Sequence, residues 1–83
     1  MKDLARVIRA KLDDRSLPRE EHIKVYGSHG TQLPCDACGQ PILPAQVQYE
    51  VEFEEKPSIR LHLGCFGLYE AERLRRGWTQ RKR

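Results

Sequence analysis

The stretch PCDACGQPI places Cys35 and Cys38 three positions apart, and a second donor pair, His62 and Cys65, follows downstream. The full spacing is C-x2-C-x23-H-x2-C, and it uses every cysteine in the 83-residue chain. A two-residue gap lets one tight turn present both donors on the same side. Two such pairs, joined by a spacer of hairpin length, converge as a tetrahedron of soft and borderline donors, which is what zinc prefers. The pattern predicts one structural Zn2+ held by Cys35, Cys38, His62 and Cys65, with the fold built around it.

A chain this short gains from such a staple, because it buries only about 60% of the surface its unfolded form exposes. Three cysteines are an odd number, which a closed disulfide framework would not leave. The first twelve residues carry Lys2, Asp3, Arg6, Arg9 and Lys11, so no signal-like apolar run is expected there. No apolar run reaches membrane-spanning length either, and no membrane association is expected. A reducing, cytoplasmic setting follows, in which clustered thiols hold metal more readily than they form disulfides.

Other chemistries of the same residues fit less well. In thioredoxin-like redox sites the second cysteine lies in a helix that continues past it, whereas Gly39 and Pro41 follow Cys38 directly. Gly39 suits a positive-φ turn in a metal-binding knuckle. A zinc deaminase needs an H-x-E before its P-C-x-x-C, but His22 is followed by Ile23-Lys24 and His29 by Gly30-Thr31. Four protein ligands also leave no open position for a catalytic water. The chain is therefore expected not to be an enzyme. His29, six positions before Cys35, is an alternative fourth ligand, but His62 has the pair spacing with Cys65 and His29 reads as a loop residue. His22 reads as a solvated surface residue. Glu50, Glu52 and Glu54 project from one strand face with no partner base or nucleophile nearby in sequence, and read as a solvated acidic face.

Leu4, Val7, Ile8 and Leu12 fall at helical spacing, predicting an amphipathic helix over 3–13 that ends before Pro18. Pro18-Arg19-Glu20-Glu21 reads as a second helical turn, 23–26 as a short strand and 27–30 as a loop, from its glycines. From 46 to 54, Val47, Tyr49, Val51 and Phe53 alternate with Gln48, Glu50, Glu52 and Glu54, the period of a half-buried strand. Lys56-Pro57-Ser58 reads as a turn, 59–62 as the returning strand and 64–76 as a helix stopped by Gly77. The expected organisation is an N-terminal helix and connecting segment (1–32), a zinc module (33–78) and a basic tail (79–83) that reads as disordered.

Knuckle, hairpin and ligand-bearing helix together resemble a treble clef: an α+β zinc finger, here with an N-terminal amphipathic helix. The ligand pattern resembles the first zinc module of LIM domains and, with a shorter spacer, poly(ADP-ribose) polymerase-type fingers, whose H-x2-C-F run is matched by His62-Leu-Gly-Cys65-Phe66. The resemblance covers roughly 33–78. No cysteine follows Cys65 to build a second LIM module. The hairpin carries Glu50, Glu52, Glu54 and Glu55 where the polymerase-type finger presents basic residues to DNA. The layout is also similar to small bacterial zinc-finger proteins with a short N-terminal helix, a likeness that implies no activity.

Charge is segregated. Residues 35–70 hold two Lys/Arg against six Asp/Glu, and residues 71–83 hold six against one. Opposite-sign patches on a small body favour docking to a charged protein or head-to-tail self-association. A small protein-interaction or regulatory module is the first expectation, and the N-terminal helix is a candidate homo-oligomer contact. The alternative is nucleic-acid binding through Arg73, Arg75, Arg76, Arg81, Lys82 and Arg83 around Trp78, with the basic groups on phosphates and the indole on an unpaired base. Trp78 has a second reading, as a cover for the core where the last helix meets residues 3–13.

Overall fold

Residues 3–78 are described by the structure, a computed structural model. The elements are α1 (Leu4–Asp13), β1 (Lys24–His29), β2 (Val47–Glu52), β3 (Ile59–His62) and α2 (Leu63–Arg75). The strands form one antiparallel sheet in the order β1-β2-β3. The fold is thus a small α+β arrangement of one sheet and two helices.

The apolar stripe of α1 turns inward against α2, and Ile8 and Leu12 are entirely buried. Leu4 packs at the margin of the same core. The C-terminal end of α1 has free carbonyls, as every helix end does. Arg19 folds back to donate to Leu12 O and Asp13 O at 2.8 and 2.9 Å. The helical turn expected at 18–21 is absent. The carbonyls of Pro18 and Glu20 instead face α2, where they accept from Tyr69 Oη at 2.8 Å and Arg73 Nη2 at 3.0 Å.

β1 is longer than its glycines suggest. It runs through Gly27-Ser28-His29 and pairs with β2 from Lys24 opposite Glu52 to His29 opposite Val47. Cross-strand pairing overrides the local turn signal, and the expected two-stranded hairpin becomes a three-stranded sheet.

The alternation over 47–53 holds at the far end of β2 and just past it, where Val51 and Phe53 are buried, and fails at its start. Val47 is 42% exposed, while Gln48, expected in solvent, is only 4% exposed. Gln48 is buried because its Oε1 accepts both the Thr31 N–H, at 3.1 Å, and the Thr31 hydroxyl, at 2.9 Å. The acidic face is compensated by register: Glu50 lies opposite Arg60 and Glu52 opposite Lys24. Opposite charges at facing positions support a sheet.

One core joins Ile8, Leu12 and Leu17 to Cys35, Leu61, Cys65 and Tyr69, so residues 3–32 and 33–78 pack as one body. Arg76 adds a clasp, donating from α2's end to Asp13 at the end of α1, at 2.9 Å. The Trp78 N–H bonds Arg73 O and the Gly77 N–H bonds Leu74 O, the paired bonds of a Schellman stop one residue past the helix cap.

Candidate metal centre

The knuckle is a short hairpin closed by a bridge between Pro34 and Pro41. The Cys35 N–H donates to Gln40 O at 2.8 Å and the Gly39 N–H to Cys35 O at 2.9 Å. Gly39 takes φ +80°, the left-handed turn expected of it. Before the knuckle, Gly30 runs so close to the 42–43 backbone that a Cβ there would fall 2.1 Å from Leu43 O. The Asp36 N–H then donates to Arg60 O, and Asp36 Oδ2 accepts the Arg60 N–H, both at 2.8 Å. These two bonds hold the knuckle on the outer edge of β3, the strand that ends in His62.

The other donor pair lies at the junction of β3 and α2. His62 is the N-cap of α2, with extended φ −63° and ψ 158°, and Cys65 sits in the first turn. A helix N-terminus carries partial positive charge, which favours a thiolate.

The ligand atoms of Cys35, Cys38, His62 and Cys65 lie within 4.8 Å of one another, so these four residues form a cluster able to hold one metal ion. His62 Nδ1 is 3.4 Å from Cys38 Sγ and 3.9 Å from Cys65 Sγ. Its Nε2 lies 3.2 Å from Pro41 O. A backbone carbonyl can only accept, so Nε2 carries the proton and the Nδ1 lone pair faces the thiols. Metal-binding histidines are oriented in this way by an outer partner. No sequence pattern announces Pro41 as that partner, because a backbone carbonyl leaves no residue signature.

The thiols oppose one another without a cation. Burial pushes the Cys35 thiol up, but the backbone N–H groups of Cys38, His62 and Ala37, with the His62 side chain, bring it down to about 7. Burial pushes Cys65 well above the usual thiol range, and the neighbouring Cys35 and Cys38 push it further. A divalent cation among the donors would turn this mutual opposition into attraction. Three thiols, an imidazole oriented inward and a shared centre fit such an ion.

The remaining histidines lie elsewhere. His29 is exposed on β1 and outside the cluster. His22 is not simply solvated: its Nε2 is 2.9 Å from Glu70 Oε2, and its ring meets Phe53 and Phe66 at centroid separations of 6.5 and 6.4 Å.

Among the described residues, the basic side chains at the end of α2 are engaged within the chain. Arg73 is fully buried, donating to Glu20 O and Glu70, so its guanidinium has no access to a phosphate. Its sequence assignment to a nucleic-acid surface is corrected on that ground. Arg75 and Arg76 both bond Glu72, at 2.6 and 2.7 Å. Trp78 is half-buried against the core, with the Arg19 and Arg76 guanidiniums 5.3 and 5.0 Å from its ring centre. Arg81, Lys82 and Arg83 lie outside the described residues. No helix among the described residues is long and apolar enough to cross a membrane. No family model, curated protein or solved structure matches this chain, so its likeness to LIM-type and polymerase-type modules rests on its own ligand residues.

Proposed function

We propose that this chain is a treble-clef module stapled by one structural zinc ion, without enzymatic activity, that works by docking to protein. The convergence of Cys35, Cys38, His62 and Cys65 within 4.8 Å carries the reading. Three sulfur donors and one imidazole suit zinc over harder divalent ions, which prefer oxygen ligands. Four protein donors make a closed site, suited to holding structure and not to activating water. Knuckle, β2–β3 hairpin and the first turn of α2 follow one another as in a treble clef. No disulfide joins Cys35, Cys38 or Cys65, so all three sulfurs are available as donors.

Docking to protein is supported by the exposed surface, where Ile23, Leu63 and Leu74 are each more than half exposed, at 61, 55 and 65%. Nucleic-acid binding loses support as Arg73 is buried and Arg75 and Arg76 share a carboxylate.

The test begins with purified chain under reducing conditions. Elemental analysis is expected to give one zinc per chain, and cobalt substitution the strong thiolate-to-metal absorption of a tetrahedral site. Cys38→Ser should lose both. A chain that carries no stoichiometric metal yet unfolds cooperatively would end the structural-zinc reading. Steep, salt-sensitive binding to generic DNA or RNA would restore the nucleic-acid alternative.

A further inference from the structure

The three thiols of the cluster are not equivalent. Cys35 and Cys65 are buried, 2 and 3% exposed, whereas Cys38 is only partly buried. The Ala37 N–H points at Cys35 Sγ from 3.4 Å, and the N–H groups of Cys38 and His62 serve the same sulfur. Those bonds engage the electron pairs with which Cys35 would attack an outside reagent. With a divalent ion bound, all three sulfurs are deprotonated. Access then decides which of them an oxidant reaches, and access favours Cys38.

A second sulfur stands ready to react with the first. The ligand atoms of the cluster lie within 4.8 Å of one another. Cys35 and Cys38 also belong to one turn, closed by the 2.9 Å bond from the Gly39 N–H to Cys35 O. Residues three apart in a turn have Cα atoms less than about 7 Å apart, and a disulfide spans about 4.4–6.8 Å. Cys65 is fixed instead on a separate element, in the first turn of α2.

We propose that Cys38 is a peroxide-sensitive thiolate whose oxidation closes a Cys35–Cys38 disulfide and dismantles the metal centre. The proposal rests on the zinc reading. Cys38 Sγ attacks one oxygen of hydrogen peroxide; the O–O bond breaks, Cys38 becomes a sulfenic acid and hydroxide leaves. Cys35 Sγ then attacks Cys38 Sγ, forming the S–S bond and expelling a second hydroxide. Two thiolates lose two electrons in all, and peroxide gains them. The chain has no fourth cysteine, so Cys65 stays a thiol. Cys65 and His62 are then two donors where a closed tetrahedral site needs four. Cys35 and Cys65 share one core with Ile8 and Leu12, so losing the staple releases α1 and α2 together. This differs from a thioredoxin-like pair. The disulfide here breaks the fold that presents it, and resetting it takes a thiol reductant and fresh zinc.

The test treats the full zinc-loaded chain, its zinc content measured beforehand, with substoichiometric hydrogen peroxide. One zinc should pass to a colorimetric chelator for each peroxide consumed, with helical circular dichroism lost in proportion. Peptide mass mapping should find the segment holding Cys35 and Cys38 two hydrogens lighter, and Cys65 still open to alkylation. An excess of a dimedone-type sulfenic-acid trap should place its adduct on Cys38. Thiol reductant with added zinc should restore both metal and helix signal. An adduct placed first on Cys35 or Cys65, or a disulfide that includes Cys65, overturns the proposal. Oxidation that leaves zinc bound also overturns it. A zinc-loaded chain that fails the mapping sinks the switch alone, whereas a purified chain without zinc ends the zinc reading and the switch with it.

Discussion

Arg73 places its guanidinium wholly inside the chain and donates to the backbone carbonyl of Glu20 at 3.0 Å. The same group reaches Glu70, whose carboxylate also meets His22. A residue that reads as part of a basic surface thus ties the 18–22 segment to α2.

Replacing Arg73 tests this role. Arg73→Met leaves the Glu20 carbonyl without this donor and the Glu70 carboxylate with His22 alone. Losing a charged donor to partly buried acceptors costs about 1.5–3 kcal/mol. Arg75→Ala, at an exposed ion pair, should cost within about 1 kcal/mol. Urea midpoints of the two metal-loaded variants check the contrast. Equal losses would mean that Arg73 does not carry the contact assigned to it.

Metal removal is expected to unfold the whole chain and not only the zinc module. Cys35 and Cys65 share one core with Ile8, Leu12 and Leu17. Structural zinc contributes an apparent ~10–16 kcal/mol in finger peptides, as much as the whole stability of a typical domain. Titration with a strong chelator under reducing conditions, followed by far-ultraviolet circular dichroism, should show α1 and α2 lost together. Helix signal surviving chelation would show that α1 folds without the centre.

The bond between His62 and Pro41 fixes a tautomer. In the metal-loaded chain, long-range proton–nitrogen NMR should find the His62 proton on Nε2 and none on Nδ1. The opposite tautomer would contradict the orientation of the ring toward Cys38 and Cys65.

Acid should weaken the chain partly through Glu72. Bonding to Arg75 lowers its carboxyl from 4.5 to about 2; burial opposes this, and Arg76 adds to the lowering. A carboxyl depressed in the folded state binds its proton first in the unfolded state, so falling pH favours unfolding. Glu72 therefore contributes stability above about pH 4.5 that is lost progressively toward pH 2. Thermal melts of the wild type and Glu72→Gln across this range should converge as pH falls. Parallel curves would show that the pair contributes nothing. The two proteins share every other ionisable group, so the difference between the curves isolates Glu72.

Gly30→Ala should be severe although the residue touches no metal ligand. Its Cβ would meet Leu43 O at 2.1 Å and Ile42 O at 2.4 Å, and both obstacles are backbone. Overpacking of this kind costs about 2–3 kcal/mol. A drop in melting temperature with the zinc stoichiometry retained at low temperature is expected. An unchanged melting temperature would show that the 30–43 contact yields easily.

The cluster able to hold a metal ion was legible in the chain itself. Pairs such as Cys35/Cys38 and His62/Cys65 converge through a local turn and a helix start, and short spacing encodes both. α1, the core of β2 and the stop at Gly77 were legible for the same reason, since each depends on neighbours a few residues away. What depends on distant partners was not. Gly27-Ser28-His29 is strand because β2 lies beside it, Gln48 is buried because Thr31 reaches it, and His22 sits against Phe53 and Phe66 from other segments. The α1 stripe was visible in the sequence, but its partner was settled only when α2 was found covering it. The basic run of α2 shows the division most plainly: its composition was set by sequence, yet burial of Arg73 and pairing of Arg75 and Arg76 with Glu72 are tertiary facts. Charge is a property of a residue alone, whereas its accessibility is decided by what packs against it.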